Sequence, residues 1–229
     1  MLQSWKPVGT YLLLSAILLL SGCGSSGSTH LRLANALSSQ SGLTLLIDGN
    51  NDANAVAYGT GSGYLSVSSG SRHVQVEPTG SANDILIDQN ISLASGSNTT
   101  IVAVSSTTAA SGAGALVLND QTSTPATNDI AIRAVNASPS LPIADVYIVT
   151  STTDITTVSP TAANVAFPSA TTYQTVAAGT YVVVFTQHSS KTPVISTSPL
   201  SLVAGQVRTV LGLDGQNGGF TTGILADLN

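Results

Sequence analysis

The chain has 229 residues and little charge: six Lys and Arg against eleven Asp and Glu, a net charge of −5, with 42% apolar residues. Nucleic acid is excluded as a partner, because phosphate binding needs clustered Lys and Arg, and the basic residues beyond the amino terminus (Arg32, Arg72, Arg133, Lys191 and Arg208) are scattered. Intrinsic disorder is excluded by the aliphatic content, since disordered chains lack the Val, Ile and Leu found throughout this one.

At the amino terminus, Lys6 precedes an apolar run over 11–20 that only Ser15 interrupts. That is the layout of a secretory signal, and the run is shorter than the roughly 20 residues of a spanning helix. Leu20-Ser21-Gly22-Cys23 follows, with a Gly/Ser stretch after it. The segment resembles a bacterial lipobox. The resemblance implies cleavage before Cys23, a lipid on its thiol and firm anchoring by several acyl chains. Gly24, where an inner-membrane retention signal would place Asp, implies the outer membrane. Cys23 is the single cysteine, so no disulfide forms within the mature chain and packing alone must stabilise it. We therefore expect a signal peptide over 1–22 and a tether over 23–29.

The remainder repeats itself. "LRLANA" at 31–36 returns as "IRAVNA" at 132–137, and "LTLLID" at 43–48 aligns with "ADVYIV" at 144–149. A second register then holds from 56 to 104 against 165 to 213. It matches Tyr64 with Tyr173 and Thr100 with Thr209, and sets Tyr58 against Phe167. The copies are a first domain over 30–119 and a second over 129–229, joined by a polar linker over 120–128. The second copy carries an eight-residue insertion near 150–160. "RHVQVE" at 72–77 alternates polar and apolar residues, and short apolar runs recur between Gly, Ser, Pro and Asn. These patterns predict an all-β chain of two tandem antiparallel β-sandwiches, immunoglobulin-like or transthyretin-like.

One strand differs between the copies. His73 and Gln75 become Val182 and Val184, which makes the second strand apolar on both faces. Its outer face should be covered, by the first copy or by a partner.

The segment "IRAVNASPSLPIADVYI" at 132–148 is similar to the opening of the domain-of-unknown-function 4397 family of bacterial secreted proteins and lipoproteins, through Arg133, Asn136, Ala137, Ser138, Pro139, Asp145, Val146 and Tyr147. The first copy departs from it, with Ser38 and Ser39 in place of Pro139 and Ser140, and Thr44 and Leu46 in place of Asp145 and Tyr147. The resemblance would extend over nearly all of the mature chain. It implies a β-sandwich outside the cell and no activity.

Reactive constellations are sparse. There is no G-x-S-x-G elbow, and His30, His73 and His188 lack ligand spacing and read as surface residues. Asp48, Asn50 and Asp52 alternate as in a calcium loop, but Ala53 and Gly59 stand where the loop wants Gly and Glu, so a plain turn is the better reading. Arg32 and Arg133 should pair with acids of their own domains. Asn35 and Asn136 should satisfy the turns that follow them. The matched aromatics Tyr58, Tyr64, Phe167 and Tyr173 should pack in the cores. No catalytic residue and no cofactor is expected. The best reading is a non-enzymatic binding or structural module on the envelope. The alternatives are an adhesin-like receptor for protein or polysaccharide, with the insertion as its loop, and an envelope enzyme.

Overall fold

The computed structural model describes residues 1–3 and 27–228. The signal peptide and the lipobox residues Leu20, Ser21, Gly22 and Cys23 lie outside the described residues.

The first domain comprises β1 (Thr29–Asn35), β2 (Gly42–Ile47), β3 (Asn50–Ala57), β4 (Leu65–Val67), β5 (Gly70–Pro78), β6 (Ile87–Leu93), β7 (Asn98–Ser105) and β8 (Ala113–Asp120). The second comprises β9 (Asp129–Asn136), β10 (Ile143–Thr150), β11 (Ala162–Ala166), β12 (Ser169–Ala170), β13 (Gln174–Ala177), β14 (Gly179–Gln187), β15 (Pro193–Ser196), β16 (Leu200–Leu202), β17 (Val207–Asp214) and β18 (Phe220–Leu228). A short 3-10 turn, Ile155–Thr157, interrupts the strands.

Each domain is a sandwich of two sheets. The first has orders β4-β1-β7-β8 and β3-β2-β5-β6. In the second, the orders are β12-β9-β17-β18, with β13 also on β9, and β11-β10-β14-β15, with β16 also on β14. Pairing is antiparallel except for β1 with β7 and β9 with β17, which run parallel. In each domain the first strand thus enters the sheet beside the penultimate one. That places Arg32 opposite Thr100, and Arg133 opposite Thr209.

Period-two alternation has an unusual outcome in these strands, because both of their faces are buried. On β1, Leu31 and Leu33 enter the core of the first domain with Ile101 and Ala103 of β7. The next residue on, Ala34, with Val102 and Val104, turns outward onto the second domain. On the other side, Ile130, Ile132 and Val210 fill the second core, while Val135, Leu211 and Leu213 face the first domain. The seam cluster is self-matched under the repeat. Ala34, Ala36, Val102, Val104 and Leu118 meet their own counterparts Val135, Ala137, Leu211, Leu213 and Leu225. An isologous interface has this property, the same patch contributed by both partners. The domains therefore stand side by side about a pseudo-two-fold axis.

The outer face of β14 is indeed covered, but by its own domain rather than by the first copy or a partner. The insertion lays Ile155 and Val158 over Tyr147, Val182 and Val184. The Lys191 ammonium sits 4.9 Å from the Tyr147 ring centroid and donates to the carbonyls of Ile155 and Val158. The insertion thus packs on this face through Ile155 and Val158, while Ser151, Thr152, Asp154, Thr156 and Thr157 stay exposed.

Candidate functional site at the domain seam

Four charged side chains meet at one end of the seam. The Arg32 guanidinium donates to the Asp227 carboxylate, the Ala226 carbonyl (2.7 Å) and Thr100 Oγ1 (2.7 Å). Its counterpart Arg133 donates to Asp120 Oδ1 (2.5 Å), the Asn119 carbonyl (3.0 Å) and Thr209 Oγ1 (3.0 Å). Each arginine therefore binds an acid of the other domain, which corrects the expectation of pairing within one domain. The reason is topological: each acid lies at the end of the last strand of its own domain, Asp120 as the final residue of β8 and Asp227 one before the end of β18.

Both carboxylates are completely buried, and both arginines nearly so. Each acid is also held from its own side. Tyr64 (2.7 Å) and Thr100 (2.5 Å) donate to Asp120 Oδ2, while Tyr173 (2.9 Å) and Thr209 (2.7 Å) donate to Asp227 Oδ2. The same tyrosines lie under the guanidiniums, at 4.4 and 4.5 Å from Arg32 and Arg133, a cation–π arrangement strengthened by desolvation. Tyr64 and Tyr173 are therefore part of the seam rather than of the domain cores. Burial, then the adjacent carboxylates, pushes both phenols well above the usual tyrosine range. The cluster holds two positive and two negative charges and is neutral as a whole.

Asp120 was missed in the sequence, where composition assigns it to the linker. It is instead the last residue of β8. A signal was present: Leu118-Asn119-Asp120 returns as Leu225-Ala226-Asp227. A change of register hides it, because seven residues join β7 to β8 while five join β17 to β18.

At the opposite end the pseudo-symmetry breaks. On one side, Tyr58 Oη donates to the Asp214 carbonyl, and Gln216 Nε2 donates to the Ser38 carbonyl (3.2 Å). Burial and Asp214 raise the Tyr58 phenol to about 12. On the other side Phe167 replaces Tyr58, Ser105 replaces Asp214, and the loop is longer. A cleft of about 530 Å³ opens there, lined by Ser105, Ser106, Thr107 and Thr108 on one wall and by Pro139, Phe167 and Pro168 on the other.

The remaining candidate residues have structural partners. Asp48 and Gly49 both take positive φ and form the two-residue turn between β2 and β3. The Asp48 carboxylate accepts from Arg72 and from the His73 amide, and Asp52 accepts from the Ile47 amide. Asn50 donates to the Ile47 carbonyl. His30 contacts Asn98, His73 contacts Asp88, and His188 contacts Asp145. Among the described residues no three His, Cys, Asp or Glu gather as a metal site. Asn136 Nδ2 donates to the Leu141 (2.8 Å) and Val165 (3.1 Å) carbonyls, and its Oδ1 accepts from the Ser138 amide. Asn35 does the same with Gln40, Val56 and Leu37. Both asparagines thus tie the turn after the first strand to the opposite sheet.

A family model described as a domain of unknown function (DUF4397) matches residues 29–147. The chain belongs to this family. No curated protein matches it. The match takes in the whole first domain, the linker, β9 and part of β10, whereas the resemblance was expected over nearly all of the mature chain. Within the matched span, the family's motif residues do structural work. Arg133 locks the seam, Asn136 ties a turn, and Ser138 donates to Asp214. Burial raises the Asp145 carboxyl, but His188 and the Asn164 and Ser189 amides together hold it below the usual carboxylate range. Tyr147 seats Lys191.

Proposed function

We propose that this chain is an exported, lipid-anchored protein of the cell envelope, held in the outer membrane through Cys23, and that its two sandwiches act as one non-catalytic binding or structural unit. The observation that carries the non-catalytic reading is the seam cluster. It gathers Arg32, Arg133, Asp120, Asp227, Tyr64 and Tyr173, and each member is engaged with another in holding the domains together. A reactive site needs at least one group left to meet a substrate. The anchor rests on Leu20-Ser21-Gly22-Cys23 and the Gly/Ser tether. No cofactor enters this reading. The membrane is the first partner, with an envelope protein or polysaccharide as the ligand class.

Fractionation tests it. The native chain should sediment with membranes and label with radioactive palmitate, while Cys23→Ala should do neither. A Cys23→Ala chain that stays membrane-bound and processed defeats the anchor.

A further inference from the structure

The geometry points to the cleft between Ser105–Thr108 and Phe167 as a binding site for a neutral saccharide. This deepens the reading of a non-catalytic envelope module and rests on it for the location of the ligand.

The closed side of the molecule shows what the position accommodates. There a hydroxyl attached to a flat ring, that of Tyr58, donates to the carbonyl of the residue ending the penultimate strand. In the cleft the matching carbonyl belongs to Ser105, and the facing ring is Phe167, which has no hydroxyl to offer. The ring therefore remains and the hydroxyl donor is missing. A pyranose supplies both complements: an apolar C–H face to lie against Phe167, Pro139 and Pro168, and equatorial hydroxyls to meet the opposite wall.

That wall is suited to hydroxyls. Ser105, Ser106, Thr107 and Thr108 line it, with the Ser106 and Thr108 hydroxyls bonded to each other and Ser106 Oγ accepting from the Thr108 and Ala109 amides, and none of the residues lining the cleft is charged. A charged ligand would be desolvated there without a counter-charge. The volume of about 530 Å³ lies within the roughly 300–1,000 Å³ of small-molecule sites. The position is also favourable. The first strand begins at the tether and runs up the seam, so the cleft opens at the end of the molecule away from Thr29.

The test uses the full chain in mild detergent and a panel of neutral tri- and tetrasaccharides of glucose, mannose or N-acetylglucosamine. Binding is read by calorimetry and by saturation-transfer NMR. At least one member should bind. Phe167→Tyr, which restores the hydroxyl of the closed side, should weaken that binding at least tenfold with the melting temperature unchanged. Thr107→Tyr, placed on the exposed loop, should block the cleft from the other wall and serves if the first variant folds poorly. Failure of every saccharide to bind overturns the proposal, as does binding that survives both variants. Binding of a proline-rich peptide in preference to every saccharide overturns it too. None of these outcomes alters the fractionation of Cys23→Ala, so the two readings fail separately.

Discussion

Arg32 bonds to Asp227, 195 residues away in the other domain, although Asp120 of its own domain lies only 3.9 Å from the same guanidinium nitrogen. Arg133 mirrors it on Asp120. The two sandwiches are cross-wired: the carboxylate hydrogen bond of each arginine is made to the other domain.

The first prediction concerns that wiring. Removing one member of a buried ion pair strands the other, at a cost of roughly 3–5 kcal/mol. Asp227→Ala and Asp120→Ala should each lower unfolding stability by about that amount in urea titrations. The combined loss should fall short of the sum, because the four charges form one cluster. Additive losses would show that the two pairs act independently.

A second prediction follows from close packing. A Cβ on Gly212 would come within 3.1 Å of the Phe185 ring, and one on Gly223 would come within 2.3 Å of the Gly59 carbonyl oxygen. The first-copy counterparts are Ala103 and Leu116, so the same positions tolerate side chains where the opposing residue is smaller or set further back. Gly223→Ala should pry the seam open, seen as faster proteolysis of the linker over 121–128 and a larger radius of gyration. Gly212→Ala should instead destabilise the second core without changing the radius.

Asn136→Ala should cost about 2–3 kcal/mol, since it leaves two buried carbonyls and one amide without their partner. Asn136→Asp should be no better, because a carboxylate cannot donate to the Leu141 and Val165 carbonyls. Equilibrium denaturation of the two variants side by side checks this.

The insertion gives a fourth test. Ile155→Asp should uncover the apolar strip of Tyr147 and Val184, raising binding of a hydrophobic dye at unchanged far-ultraviolet dichroism. Unaltered dye binding would mean that the insertion does not seal this face.

Alkaline pH supplies the fifth. Tyr58, Tyr64 and Tyr173 have phenol pKa values raised above their unfolded value of about 10. A group raised in this way contributes stability fully present below pH 10 and lost as pH rises through the folded value, about 12 for Tyr58. Stability should therefore hold to pH 10 and fall steeply beyond it. Phenolate absorbance at 295 nm from these three residues should appear together with unfolding. Tyr58→Phe should soften the fall between pH 10 and 12.

The β-class and the repeat were legible because both are patterns local to the chain: alternation within strands and a register held over tens of residues. The turn roles of Asn35 and Asn136 were legible for the same reason. The seam was not. Thr100, Thr209 and the two arginines were visible as recurring residues, but their partners lie across a domain boundary that no local pattern crosses. The two-residue difference in the β7–β8 and β17–β18 loops shifted Asp120 and Asp227 out of alignment. The cleft was illegible for a further reason, since it exists only where two aligned copies differ. Phe167 against Tyr58 reads in sequence as one aromatic replacing another, and only the missing hydroxyl distinguishes them in space.

The self-matched seam has a consequence for how the molecule assembles. Two surfaces of this kind on separate chains would meet at a rate set by concentration and would part on dilution. Here a linker of eight residues holds one beside the other at an effective concentration of order millimolar. The protein carries a homodimer's contact inside a single chain, and a sparsely distributed copy is as fully assembled as a crowded one.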